Sequence, residues 1–207
     1  MLSDMFLNAL FPPVCPICQN RTESAGALCP ECFSQLRFVG DNLADRAAAV
    51  VYDEVSRRLV LSLKYGDRLD LVPLLARLMH NAGGEVLKNA DLLTGVPLHW
   101  KRMLSRKYNQ SVVLAAEISK QSGIPLNPEL LKRIKSTPKQ GSRKERFKNV
   151  SKAFVLNPES NIRGKTVVLI DDVVTTGATA EACASVLLKG GAKEVRLLTF
   201  ARAQKEN

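Results

Sequence analysis

The chain has 207 residues, with 30 Lys and Arg against 20 Asp and Glu, a formal net charge of +10. Hydrophobic residues make up 45% and charged residues 24%, the balance of a globular chain rather than a disordered one. Aromatics are only 5%, so a surface that grips nucleic acid mainly by stacking bases is not expected, and no apolar run approaches a membrane span.

One α/β domain plus a small appendage is expected at this length, with enough core to fold without disulfides. The first residues, Met1-Leu2-Ser3-Asp4-Met5-Phe6-Leu7, lack the basic start and long apolar stretch of a secretory signal. A cytoplasmic, reducing location without membrane insertion is therefore expected, with cysteines read as thiols or metal ligands. The charge is unevenly placed. Residues 101–150 hold thirteen Lys and Arg against three Glu, and the rest of the chain sums to zero. Such confinement suggests a site for a polyanion, either nucleic acid or a small ligand with several phosphates, over a merely solvated basic face.

In chain order, the first feature is a pair of CxxC knuckles, Cys15-Pro16-Ile17-Cys18 and Cys29-Pro30-Glu31-Cys32, ten residues apart. Two knuckles at this spacing favour a tetrahedral Zn²⁺ over redox dithiols, and four thiolates close the shell of a structural site. The fifth cysteine, Cys183, falls at helical spacing with Ala180, Ala184 and Leu187 and reads as a core residue. A strand is predicted over Ala47–Tyr52 and a helix over Glu54–Lys64, with Val55, Leu59, Val60 and Leu63 on one face. A second helix runs from Asp70 to Ala82 and stops at Gly83-Gly84. Asp91–Val96 reads as a buried strand, and Tyr108–Gln121 as a helix stopped by Gly123 and Pro125. Residues 133–150, basic and without a period, read as a long loop. Short strand Ala153–Leu156, strand Thr166–Ile170, helix Ala178–Lys189 and strand Glu194–Phe200 complete the series. Strands alternating with helices imply an α/β fold with a mostly parallel sheet flanked by helices.

The strongest signal is Val167-Val168-Leu169-Ile170-Asp171-Asp172-Val173-Val174-Thr175-Thr176-Gly177-Ala178-Thr179. A buried strand ends in two carboxylates, a Thr/Gly loop follows, and a helix begins. Loop N–H groups and the helix N-terminus favour phosphate, and Gly177 permits close approach. The acids lie where ligands bind in open α/β sheets and could hold sugar hydroxyls or help position Mg²⁺. No Gly-Lys-Ser/Thr stands between this strand and this helix, so the loop is not a Walker P-loop.

The order acid–acid–apolar–apolar–Thr–Thr–Gly–x–Thr resembles the 5-phosphoribosyl-1-pyrophosphate (PRPP) motif of type I phosphoribosyltransferases. The resemblance implies a type I phosphoribosyltransferase fold, in which Asp171 and Asp172 face the ribose hydroxyls as catalytic and PRPP-binding residues. Thr175, Thr176, Gly177, Ala178 and Thr179 would bind the 5-phosphate. It also implies a pyrophosphate loop at Pro97-Leu98-His99-Trp100-Lys101-Arg102, where Lys101 and Arg102, with Arg106 nearby, serve either as phosphate contacts or as solvated charge. The basic stretch 133–150 resembles the family's hood, with Arg143 and Arg146 as contacts.

A longer series carries a narrower resemblance. It comprises the two CxxC knuckles, Leu63-Lys64-Tyr65-Gly66-Asp67, Val96-Pro97-Leu98-His99, Arg106-Lys107-Tyr108-Asn109-Gln110, and Gln140 with Arg143, Arg146 and Asn149-Val150. From about residue 10 to 203 the chain resembles the ComF family of competence-related phosphoribosyltransferase-like proteins. This implies a double zinc ribbon-like module over 1–42 and a phosphoribosyltransferase-like domain over 43–207. It also implies a bacterial, PRPP-binding protein linked to DNA uptake or the use of incoming DNA. Single-stranded DNA or DNA-uptake and recombination proteins are the partners it suggests. The alternative is a true phosphoribosyltransferase of nucleotide metabolism with an unidentified nitrogen acceptor. Mg²⁺ would accompany PRPP in either case.

Three details qualify the match. Lys107 stands where the family usually has Gly, which implies a slightly different turn if that Gly needs positive φ. Thr175 stands where purine-salvage members commonly have a third Asp as general base, so no efficient hypoxanthine or guanine transfer is expected. His99 serves either pyrophosphate or packing, Trp100 either a base or the core, and Lys64 and Tyr65 either the end of a helix or the lining of the site.

Overall fold

The structure, a computed structural model, describes residues 12–98, 107–134 and 153–204. Four parallel strands form the central sheet: β1 (Arg46–Val51), β2 (Leu92–Gly95), β5 (Thr166–Val174) and β6 (Glu194–Arg202). Their order is β1-β6-β5-β2. A separate antiparallel pair, β3 (Leu131–Arg133) with β4 (Phe154–Leu156), lies beside it in sequence between β2 and β5. The helices are α1 (Pro30–Ser34), α2 (Glu54–Tyr65), α3 (Val72–Ala82), α4 (Gly84–Leu87), α5 (Gln110–Ser122) and α6 (Ala178–Lys189). No helix among the described residues is long and apolar enough to cross a membrane.

The sheet is buried on both faces, which explains the continuous apolar run of β5. Val168 and Ile170 pack with α2, α3 and α5 through Leu63, Met79, Leu114 and Ile118. Val167 and Leu169 pack on the other face with Leu130, Phe154, Cys183 and Leu187. Cys183 is thus a core residue, as its spacing indicates. The expected α/β class, a parallel sheet with helices on both sides, is what the chain adopts.

Local chemistry sets the ends of the elements. Asp53 caps α2 by accepting from the Ser56 N–H, and the Ser56 hydroxyl accepts from the Asp53 N–H and donates to the Val51 carbonyl. That capping box fixes the turn from β1 into α2. Asp91 accepts from the Thr166 N–H at 2.8 Å and so locks the register in which Leu92 pairs with Val167. Asn109 caps α5, and Gly123, at φ +74, ends it.

Several boundaries differ from the sequence expectation. The helix predicted from Asp70 begins as a 3₁₀ turn over Leu69–Leu71 and becomes α-helical at Val72, where Pro73 suits the first turn. Gly83 ends α3, but Gly84 opens the further short helix α4. β3, a strand not predicted, precedes the stretch read as a long loop and shares only Arg133 with it; Leu130 and Leu131 are buried there. Most consequentially, β5 does not stop before the acids. It continues through Asp171 and Asp172 to Val174, held by β6 up to the pairing of Val174 with Arg202.

Gly95 ends β2 against the first turn of α5. A Cβ there would lie 2.7 Å from the Val112 nitrogen and 2.8 Å from the Ser111 carbonyl carbon. Both are backbone atoms, so the helix must move to admit any side chain. Gly95→Ala is therefore expected to destabilise the chain by about 1–3 kcal/mol, as overpacking does. Gly84→Ala, where a Cβ meets nothing within 4 Å, should be neutral. Urea unfolding midpoints of the two variants distinguish these outcomes.

Candidate functional site

The site forms where β5 outruns β2. Gly95 pairs with Ile170, and nothing of β2 continues beside Asp171 and Asp172. The two acids therefore stand at an open notch at the carboxyl end of the sheet, the place where open α/β folds bind ligands. Asp172 is buried and Asp171 half-buried. Both are compensated from elements on the other side of the notch. Ser111, in the first turn of α5, donates from Oγ to Asp171 Oδ1 at 2.9 Å, and the Asp172 N–H donates to the same oxygen at 2.9 Å. Lys64, in the last turn of α2, places Nζ 2.9 Å from Asp172 Oδ1. Burial, then the neighbouring charge of Asp172, pushes the Asp171 carboxyl up to about 7, against the pull of Ser111 and Lys64.

The loop after β5 is exposed at Thr175 and Thr176 and turns at Gly177, whose φ is +79. Gly177 is the N-cap of α6, and no side chain caps that helix. Exposed Thr175 and Thr176 and the start of this helix thus follow the acids directly in the chain. Such a helix start favours an anion. The Gly-Lys-Thr tripeptide of this chain, Gly164-Lys165-Thr166, leads into β5 at the opposite end of the strand.

A second segment holds the notch in shape. The Tyr108 hydroxyl donates to the carbonyl of Leu63, the residue before Lys64. Asn109 donates from Nδ2 to the Val96 carbonyl at 3.0 Å while its Oδ1 caps α5 by accepting from the Ser111 N–H. Lys107 pairs with Asp67, and the two stand at φ +62 and φ +50. Lys107 itself adopts the left-handed conformation that glycine suits.

The four knuckle cysteines come together as expected. Their sulfurs all lie within 4.8 Å of one another, and Cys15, Cys29 and Cys32 are buried. A tetrahedral zinc with bonds near 2.3 Å holds its sulfurs about 3.8 Å apart, so the cluster fits that ion. The electrostatics fit as well. Against the cost of burial, N–H groups of Cys18, Cys29 and Ile17 bring the Cys15 thiol down to about 6. Burial and the neighbouring sulfurs push Cys32 up. One thiolate is favoured and another refused, an imbalance that a bound dication removes.

Of the expected site residues, the structure brings Asp171, Asp172, Thr175, Thr176, Gly177, Ala178 and Thr179 to one notch. Lys64 joins them, lining the site from the end of its helix. Ser111 is an addition that sequence reading missed, since a serine in a helix's first turn carries no signal of its own. Lys101, Arg102 and Arg143 lie outside the described residues, as do His99, Trp100, Arg106, Gln140, Arg146, Asn149 and Val150.

A family model described as phosphoribosyl transferase domain matches residues 100–207, just over half of the chain. The chain belongs to the phosphoribosyltransferase family. A second model, double zinc ribbon domain, matches residues 6–58. Competence protein F of Haemophilus influenzae is 29% identical over 208 residues, covering 92% of this chain and 90% of its own. The DNA utilization protein YhgH of Escherichia coli K12 is also 29% identical, covering 91% and 90%. Competence protein ComFC of Bacillus subtilis is 25% identical, covering 92% and 78%. These relatives bear out the ComF resemblance of the motif series. Among solved structures, glutamine PRPP amidotransferase from B. subtilis superposes with a TM-score of 0.45 at 21% identity, over 66% of this chain. This chain spans only 30% of that structure. A purine phosphoribosyltransferase from Pyrococcus horikoshii gives a TM-score of 0.39 at 22% identity, over 65% and 73%.

Two outcomes are expected from this geometry. Elemental analysis of reduced protein should return about one zinc per chain, and Cys32→Ser should lower both zinc content and melting temperature. For Asp171, the folded titration near 7 lies above the unfolded value of about 3.9. The folded state then holds the extra proton between those values, so stability falls as pH rises from about 4 to about 7. Asp171→Asn keeps an oxygen for Ser111 and the Asp172 N–H but sheds the charge. It should melt roughly 4 °C or more above the parent at about pH 8, with the gap closing toward about pH 4 in thermal scans.

Proposed function

We propose that this chain is a PRPP-binding phosphoribosyltransferase-like protein of the ComF type, acting in the cytoplasm in the uptake or use of DNA. The observation that carries the reading is the notch itself: two adjacent acids beyond the end of β2, with an uncapped helix N-terminus a few residues on across Gly177. Asp171 and Asp172 would accept from the ribose hydroxyls, and the loop from Thr175 to Thr179 would take the 5-phosphate. Lys101, Arg102 and Arg143 would meet the pyrophosphate. The names of the H. influenzae and E. coli relatives, over nearly the whole chain, support a role connected with DNA. The confined charge of 101–150 supports single-stranded DNA or a DNA-handling protein as the partner.

The same reading divides the chain at 42/43, with a zinc module stabilised by its metal and the phosphoribosyltransferase-like domain following. The four-cysteine cluster suits a reducing compartment. Mg²⁺ would be held by the ligand's own phosphates and would neutralise charge on the leaving pyrophosphate. The acids themselves orient the sugar, and the donors around the loop hold its phosphate in place. Thr175, exposed at the start of that loop, offers no proton acceptor near neutral pH, which weighs against purine transfer.

Calorimetry with Mg²⁺ and PRPP tests this reading. The parent is expected to bind, and Asp172→Asn to weaken binding roughly 10- to 100-fold, the worth of a hydrogen bond to a charged group. Unchanged affinity in the Asp171→Asn/Asp172→Asn double variant would sink the assignment of the motif.

A further inference from the structure

We propose that Lys64 is the resident cation of the acid pair, and that it makes recognition of a sugar's vicinal diol at this site independent of divalent metal. The inference rests on the proposed function and adds to it a residue, a role and a metal requirement. The starting point is burial. The Lys64 side chain is 18% exposed and that of Asp172 10%, whereas every other ion pair between described residues has a partner at least 31% exposed. A buried pair of this kind is a poor source of stability, because desolvation offsets its attraction. The pair therefore fits a role in the site better than a role in stability.

The fold holds Lys64 from both sides. The Leu63 carbonyl, one residue before it, accepts from the Tyr108 hydroxyl. Gly66, two residues after it, donates its N–H to the Ser62 carbonyl, and a Cβ on Gly66 would lie 2.8 Å from that oxygen. The cation also sits at the C-terminal end of α2, where the helix dipole favours it. The segment that clamps Leu63 through Tyr108 goes on, three residues later, to present Ser111 to Asp171. One stretch of four residues thus sets the partners of both acids.

Counting the oxygens shows what remains for a ligand. Asp171 Oδ1 takes Ser111 Oγ and the Asp172 N–H, and Asp172 Oδ1 takes Lys64. Among the described residues no donor reaches Oδ2 of either acid. A vicinal diol offers two O–H donors on adjacent carbons, one for each of these oxygens. The positive charge a carboxylate pair needs when it loses water on binding is already supplied by Lys64. A divalent ion is then required only by the pyrophosphate.

The test compares ribose 5-phosphate, which carries the diol and the phosphate but no pyrophosphate, in EDTA and in Mg²⁺. The parent is expected to bind it equally in both. Lys64→Met should weaken binding in EDTA by about tenfold or more, with Mg²⁺ restoring part of the loss, and Lys64→Arg should rescue binding without metal. A parent that needs Mg²⁺ for about a tenfold gain, or a folded Lys64→Met that matches the parent in EDTA, overturns the role of Lys64. If the parent nevertheless binds Mg²⁺ and PRPP, the proposed function stands without this inference. If it binds neither ligand, both fall. The comparison on the parent needs no variant, so a Mg²⁺ requirement there overturns the inference even if Lys64→Met does not fold, and Lys64→Arg then reads the residue's own role.

Discussion

Two carboxyl groups side by side at the edge of a buried sheet are costly, and the arrangement around β5 answers that cost. Burial raises the proton affinity of Asp171, and Asp172 raises it further. The chain responds with a hydroxyl from α5 and an ammonium from α2. For these to arrive, α5 must approach the end of β2 closely, and only a glycine at 95 leaves room. The backbone geometry of one strand end thus follows from the electrostatics of the strand beside it.

The same constraint explains the division of labour between the faces of the sheet. The face that carries α2, α3 and α5 supplies the fixed partners of the acids. The other carries α6, whose N-terminus opens on the notch, and the β3–β4 pair. Arg133 of that pair stands 5.3 Å from the centre of the Phe154 ring, on the neighbouring strand. The two acids and the uncapped helix N-terminus come from one continuous segment, β5 into α6, so their relative placement is set locally. Their compensation is set at long range, by residues some 60 and 108 positions earlier.

That difference decides what could be read from the sequence. Asp171, Asp172 and the loop to Thr179 are contiguous, and their residue types alone announce a strand, a turn and a helix start. The CxxC knuckles are legible for the same reason: each is local, and only their meeting had to be inferred. Ser111 was not legible, because its function depends on α5 crossing the end of β2. Lys64 was ambiguous, since a lysine in a helix's last turn is explained by the dipole alone. The extension of β5 past the acids was missed because Asp disfavours strands, and pairing with β6 outweighs that preference. The positive φ of Lys107 was not legible from its own residue type, and the structure shows it beside a pair with Asp67.

The zinc module is joined to the rest of the molecule at a point that leaves little freedom. Gly26, at φ +76, passes so close to the 3₁₀ turn that a Cβ would fall 2.0 Å from the Asp70 carbonyl oxygen. Ile17 and Leu28 pack at once against the cysteine cluster and against the main core. The module is therefore a wall of the domain rather than a bead on a string. Deleting it would bare part of the domain's own interior, where Ile17 and Leu28 now pack.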